Sequence, residues 1–440
     1  MALMLLPAAR EAPQAAMLEA NPRCIDCNVV IIVVDALRAD HVSCLGYGRN
    51  TTPNICKFAE DGVLFREMLA NSPSTKPSIA SLFTSLYPSQ HNAIDNEQGL
   101  NGNFTTLAEI LKENGYGTYA VNSNAAIWAN FNLNQGFIDW NDTNRTDAAD
   151  INRIVFGQMR NYPMPFFLYV HYLDPHAPYT APGEYYKYFN KDYNGSVTGD
   201  RPYTGTYNRK YFTNNPQELE QLKTFYDNEI VFVDSKIGEF IGRLKAEGIY
   251  NSSIIILMAD HGEMFLEHGQ LEHSNGLYGE VIEVPLIVKI PGYRTNTTSK
   301  TRVQTIDVMP TILDALNITT TSRMMGDPIQ TIIDRPDRPI MSQHLRLILP
   351  NPSISLITGR YKVIKCLTNC QNTTYALYRI DEGEGEKNNV MSRNPSADVL
   401  VQELEDFIAK VNNTGTHLEE SRVDLDQKTL EGLKALGYIN

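Results

Sequence analysis

The sequence predicts a doubly wound α/β domain with a mostly parallel sheet, followed by a smaller antiparallel α+β subdomain. Three observations predict it. The apolar runs NVVIIVV (Asn28–Val34), PFFLYVHY (165–172) and SIIILM (Ser253–Met258) have the pattern of strands buried on both faces. Amphipathic helical stretches alternate with the strands, as in α/β proteins. Past about residue 335 the alternation gives way to short strands with turn residues between them.

In chain order, residues 1–27 read as a leader or arm, 28–335 as the α/β domain and 336–440 as the α+β subdomain. The first core strand ends in Asp35, at the strand end where open α/β sheets place their ligands. Thr52 to Phe65 reads as a helix started by Pro53 and stopped at Gly62, then a short strand. In NSPSTKPSIASLFTSLYPSQH (71–91), Ile79, Leu82, Phe83 and Leu86 recur at helical spacing, and Thr75 suits the N-cap. Phe104 to Asn114 is a helix and Tyr116 to Asn122 a strand. The run 165–172 delivers Asp174 and His176. Tyr179 to Asn214, rich in Tyr, Asn, Gly and Pro, reads as a long surface loop, a candidate lid. Gln217 to Glu247 is a long helix. Ser253–Met258 is followed by Ala259, Asp260, His261 and Gly262, then come a strand over 284–290 and a helix over 306–316. Short strands over 354–377 and helices near 397–411 and 428–436 complete the subdomain, and no internal repeat is visible.

Composition sets the bounds. The net charge of -13 argues against a nucleic-acid partner, and no apolar run is long enough to span a bilayer. The opening MALMLLPAAREAPQAAM lacks the basic start of a signal peptide. Two features lean towards an extracytoplasmic place while leaving a cytoplasmic one open. Sequons begin at Asn50, Asn103, Asn141, Asn144, Asn194, Asn251, Asn296, Asn317, Asn372 and Asn412. Cys24/Cys27 and Cys366/Cys370 are close pairs. They suit local disulfides or plain thiols better than one zinc site, because the spacer between the pairs is too long. Cys44 and Cys56 are expected to be unpaired and at least partly buried.

Taken singly, Asp35 reads as a turn cap and Thr75 as a helix cap. Together they read differently. Parallel strands point their carboxyl ends one way, so Asp35 and Asp260 converge, with His261 beside Asp260 and Thr75 heading a helix on the same side. Two carboxylates, an imidazole and a hydroxyl make a divalent-metal set suited to Ca²⁺, Mg²⁺ or Mn²⁺, with Zn²⁺ also admitted. Such an ion would lower the pKa of the Thr75 hydroxyl and make it a nucleophile. His176, in DPHAPY, and His273 would serve as donors to the transferring group or as general acid. His171 and His91 read equally well as structural imidazoles.

These blocks resemble the sulfatase family of the alkaline phosphatase superfamily, over nearly the whole chain. VVDALRADHVSCLGYGRNTTPNICKFAEDGVLF resembles the family's first strand, metal-binding Asp and following helix. STKPSIASLFTSLYP resembles its nucleophile signature, in which Cys or Ser stands two residues before Pro-Ser-Arg. HYLDPHAPY, ADHGEMFLEHG, GLYGEVIEVPLIVKIPG, LYRIDEGEGEKNNV and LKALGYI resemble later blocks. The resemblance implies an alkaline-phosphatase-like fold, Asp35, Asp260 and His261 as ligands of one metal ion, Thr75 as nucleophile, and His176 and His273 as substrate contacts.

The departures bear on substrate. Thr75 stands where sulfatases convert Cys or Ser to formylglycine, and threonine cannot yield that aldehyde. Ile79 replaces the signature's Arg, Asn122 and Ser123 replace a Gly-Lys, and Ala36 stands where many members have a second metal-binding Asp. A Thr nucleophile on one metal resembles the superfamily's phosphodiesterases and lipoteichoic acid synthases. The expected reading is thus a phosphoester hydrolase or transferase acting on a small anionic ester or a glycan or lipid head group. The alternatives are a sulfuric ester hydrolase working without formylglycine and a catalytically silent binding protein on the same fold.

Overall fold

Seven consecutive residues from Asn28 to Val34 are fully buried, and this strand is the centre of the molecule. Each Val or Ile side chain taken from water there contributes about 1.5–3 kcal/mol. The computed structural model describes residues 23–200, 209–333, 335, 337–346, 351–368, 370, 374–381, 386–414 and 420–439. The expected leader, as far as residue 22, lies outside these, as do residues 201–208 of the Tyr-rich stretch and the sequon at Asn372.

The strands of the main sheet are β1 (Asn28–Val34), β2 (Val63–Leu69), β3 (Gly117–Asn122), β4 (Asp139–Asp142), β5 (Phe166–Tyr172), β6 (Ser253–Met258), β7 (Glu283–Lys289), β8 (Thr297–Ser299) and β9 (Val303–Gln304). Their order is β8-β2-β7-β6-β1-β5-β3-β4, with β9 also on β2. Pairing is parallel except at β7, which is antiparallel to both β6 and β2. Val33 lies opposite both His171 and Met258, so the residues that follow β1, β5 and β6 emerge at one edge.

The helices used below are α1 (Thr75–Thr84), α2 (Pro216–Ala246), α3 (Ala397–Thr414) and α4 (Gln427–Ala435). All ten residues of α1 are buried. A second sheet of four antiparallel strands, β10 (Ile340–His344), β11 (Ser353–Thr358), β12 (Tyr361–Cys366) and β13 (Tyr375–Arg379), carries α3 against β12. Its first strand, β10, was not read from the sequence. Helix α4, read from the sequence as part of this subdomain, packs elsewhere. It returns to the main domain, where Leu433 and Leu436 pack with Ala125, Ala126, Trp128, Phe131 and Leu173.

Three expectations need correction. Thr75 is the first residue of α1 and Ser74 its N-cap, because Ser74 keeps extended backbone angles (φ -146°, ψ 146°). Cys44 and Cys56 are joined in a disulfide, with Cα atoms 5.6 Å apart. Cys24–Cys27 and Cys366–Cys370 are also bonded, the latter with Cα atoms 5.8 Å apart, so none of the six thiols is free. Tyr179 to Asn214 is not simply a loop, since short helical turns form at Gly183–Lys187 and Arg209–Asn214. No helix among the described residues is long and apolar enough to cross a membrane.

Candidate active site

The carboxyl edge of the sheet gathers every residue that the sequence nominated. Asp35 follows β1 directly, and its backbone N–H donates to Tyr172 O at 3.0 Å, continuing the ladder past the last paired residue. The chain then turns at Ala36, whose φ of 58° is left-handed. Asp260 and His261 follow β6. Gly262 permits a close approach there, since a Cβ would stand 2.1 Å from Glu280 O. The Ser78 hydroxyl donates to Asp260 O at 2.7 Å and locks α1 to this loop. The Ser74 and Ser274 hydroxyls, 2.5 Å apart, fasten the helix start to the bend that carries His273, just past the short strand Leu271–Glu272.

Ligand atoms of Asp35, Asp260 and His261 all lie within 4.8 Å of one another, and all three side chains are fully buried. His261 Nδ1 donates to Gly262 O at 2.9 Å, which leaves Nε2 as the lone-pair atom. That Nε2 is 3.1 Å from Thr75 Oγ1, 3.6 Å from Asp35 Oδ1 and 3.5 Å from Asp260 Oδ2. Asp35 Oδ1 and Asp260 Oδ2 are buried without a hydrogen-bond partner. Two orphaned carboxylate oxygens facing an imidazole lone pair fit a divalent cation well. The electrostatics agree. Burial and then the Asp35 charge push the Asp260 carboxyl up. Burial opposes charge on His261, but Asp260 and Asp35 prevail and raise it. Protons are drawn in where a cation would otherwise balance the carboxylates.

The structure adds residues to the nominated set. His171 points from β5 at Asp35, with Nε2 2.9 Å from Oδ2, and its Nδ1 lies 2.7 Å from the Tyr169 hydroxyl. Burial alone would raise the Asp35 carboxyl, yet the His171 hydrogen bond and the fields of His176, His171 and His261 hold it below the usual range. Asn124 accepts from Ala126 N at 2.8 Å through Oδ1, which fixes its amide. Its Nδ2 then donates to Asp35 Oδ2 at 2.5 Å and to Thr75 Oγ1 at 3.3 Å. The Tyr438 hydroxyl lies 3.0 Å from Thr75 Oγ1. Lys76 faces away, its Nζ donating to Asp95 O at 2.9 Å and Gln98 O at 3.1 Å and lying 3.4 Å from the Phe131 ring centroid.

His176 and His273 are buried close to this cluster. Their ring centroids are 4.9 Å apart, and His273 is 4.3 Å from the His261 ring. His176 Nδ1 donates to Ala177 O at 2.7 Å, and His273 Nδ1 donates to Glu263 Oε1 at 3.2 Å. His91 lies elsewhere, buried against Ser81 Oγ at 3.1 Å.

A family model described as Sulfatase matches residues 27–318, and the chain belongs to that family, within the alkaline phosphatase superfamily. A second model, the N-sulphoglucosamine sulphohydrolase C-terminal region, matches residues 267–414. Among curated proteins, arylsulfatase K of Mus musculus is 24% identical over 359 residues, covering 70% of this chain and 64% of the relative. An arylsulfatase of Clostridium perfringens is 24% identical over 380 residues, covering 70% of this chain and 78% of the relative. The chain thus spans somewhat less than two thirds of the length of arylsulfatase K. Among solved structures, a phosphonate monoester hydrolase of Agrobacterium radiobacter superposes with a TM-score of 0.72 at 18% identity, covering 91% of this chain and 98% of the other. A protein solved with its substrate D-glucosamine-2-N,6-O-disulfate gives 0.74 at 18% identity, covering 88% and 99%. At these identities the structural likeness is one of fold.

Proposed function

We propose that the chain is a metal-dependent ester hydrolase or transferase that uses Thr75 Oγ1 as its nucleophile and prefers phosphodiesters to sulfate esters. The observation that carries this is the position of Thr75 Oγ1 at the head of α1, 3.1 Å from His261 Nε2 and beside two orphaned carboxylate oxygens. Asp35, Asp260, His261 and Thr75 would hold one divalent ion. When bound, such an ion lowers the pKa of the Thr75 hydroxyl, whose proton leaves to solvent, and offsets charge on the transferring oxygens.

The remaining chemistry falls to the chain. Oγ1 forms a bond to phosphorus while the bond from phosphorus to the leaving oxygen breaks. His176 or His273 gives that oxygen a proton. Water, or an acceptor alcohol, then attacks phosphorus, the bond to Oγ1 breaks, and the attacking proton returns to the histidine. A threonine ester has no route of collapse to an aldehyde, so this second attack on the bound group is required.

Charge supports the diester. The side chains that meet Thr75 Oγ1 besides His261 are Asn124 and Tyr438, both neutral donors, and Lys76 is committed to backbone carbonyls. A diester brings one negative charge and a second organic arm for the Tyr-rich stretch to grip. The names of the arylsulfatase relatives favour a second reading, a sulfuric ester hydrolase acting through Thr75 directly. Para-nitrophenyl sulfate, para-nitrophenyl phosphate and bis(para-nitrophenyl) phosphate, each tried with Ca²⁺, Mg²⁺, Mn²⁺ and Zn²⁺, separate the two. Diester turnover above sulfate release, lost in Thr75→Ala, is expected. Sulfate release with no diester turnover under any ion would overturn the proposal.

A further inference from the structure

The C-terminal segment enters the site. Ser421–Arg422 pairs antiparallel with Gln98–Gly99, and Val423 N donates to Glu97 O at 2.8 Å. Helix α4 follows, capped by Asp426, whose side chain accepts from Thr429 N at 2.8 Å. It packs so closely that a Cβ on Gly432 would stand 2.8 Å from Ala125 Cβ. Ala125 belongs to the turn Ala125–Ile127 that Asn124 caps, so α4 rests on the element that aims the Asn124 amide. Beyond α4, Asn96 Nδ2 donates to Tyr438 O at 2.8 Å. The loop that holds the tail is itself held by Lys76, the neighbour of Thr75, through the Asp95 and Gln98 carbonyls.

Held in this way, the Tyr438 hydroxyl stands among three groups of the site: Thr75 Oγ1 at 3.0 Å, Asn124 Nδ2 at 3.4 Å and His176 Nε2 at 3.4 Å. We infer that Tyr438 is a catalytic residue, a neutral hydrogen-bond donor that the C-terminal helix supplies to the anionic oxygens at Thr75. The inference rests on the reading of Thr75 as nucleophile. A phenol hydroxyl keeps its proton at neutral pH and can donate it. The resemblance calls for basic residues at positions where the chain has Ile79, Asn122 and Ser123. A neutral donor suits a singly charged diester. Preorganised donors of this kind stabilise charge that develops in the transition state.

The test compares the wild-type protein with Tyr438→Phe, which removes one oxygen, with Asn96→Ala, which loosens the anchor, and with Thr75→Ala. All are loaded with Mn²⁺. The readouts are kcat and KM on bis(para-nitrophenyl) phosphate, orthovanadate affinity by calorimetry, and bound manganese. Tyr438→Phe is expected to lower kcat by at least tenfold, towards the roughly 10²–10³-fold cost of losing one oxyanion donor. KM and bound manganese should stay within about twofold while vanadate binds about tenfold more weakly. Asn96→Ala should fall between that variant and the wild type. Unchanged kcat and vanadate affinity in Tyr438→Phe, with Thr75→Ala inactive, would overturn this inference alone. A rise in kcat/KM would overturn it too, by making the tail an obstruction. Turnover that survives Thr75→Ala would instead overturn the reading of Thr75. Wild-type protein that neither turns over the diester nor binds vanadate would overturn both.

Discussion

His171 Nε2 stands 2.9 Å from Asp35 Oδ2, with both side chains wholly buried and the Tyr169 hydroxyl fixing the other ring nitrogen at 2.7 Å. One carboxylate oxygen is thereby committed to the protein and the other, Oδ1, is left facing His261. Partners behind a ligand that fix its orientation typically contribute 10–100-fold to metal affinity. His171→Ala should therefore weaken Mn²⁺ binding by about that factor in a calorimetric titration. An unchanged affinity would mean that Asp35 needs no such support.

Because Ser74 rather than Thr75 caps α1, substitutions at 75 separate chemistry from stability. Thr75→Ala should leave the melting temperature nearly unchanged, without the roughly 0.5–2 kcal/mol cost of a lost cap, while turnover disappears. Thr75→Ser keeps a hydroxyl and should keep measurable turnover. Assaying both variants beside their melting curves checks this.

Much of this geometry was legible in the sequence, and the reason is local. β1 and β6 announce themselves as unbroken apolar runs, so Asp35, Asp260 and His261 could be placed at one sheet edge from topology alone. Thr75 followed from helical spacing. His171 could not be assigned, because a histidine inside a buried strand looks the same whether it braces a ligand or fills a core. Asn124 carries no periodic signal, since its role comes from a turn that fixes its amide. Tyr438 lies far along the chain, and only the fold brings it near Thr75. LKALGYI stood out as a block without disclosing what its tyrosine touches. The disulfide between Cys44 and Cys56 was missed because their spacing lacks the closeness of the other two pairs.

That disulfide gives a stability prediction. Its closed loop spans 12 residues, for which the loss of loop-closure entropy contributes about 3 kcal/mol. The double substitution Cys44→Ala/Cys56→Ala should lower unfolding free energy by about that amount in urea. Thiol titration of the unreduced wild type should find no free cysteine.

His91 gives a prediction in pH. Burial pulls its imidazole down to about 3 from an ordinary value near 6.5. Between those values the unfolded chain binds a proton that the folded chain refuses, so stability is full above about 6.5 and falls as pH drops. Relative to His91→Gln, the wild type should lose about 1.4 kcal/mol for each pH unit below 6.5. Parallel curves for the two proteins between pH 7 and pH 5 would contradict this.

The docking of α4 has a consequence for the life of the polypeptide. Among the described residues, the side chains that hydrogen-bond Thr75 Oγ1 come from positions 124, 261 and 438. A chain emerging from the ribosome can build the strands, the carboxylate pair and the threonine helix long before Tyr438 exists. Products lacking α4 would then turn over more slowly even though they hold every strand of the main sheet. Under that reading, competence at Thr75 waits on the docking of α4.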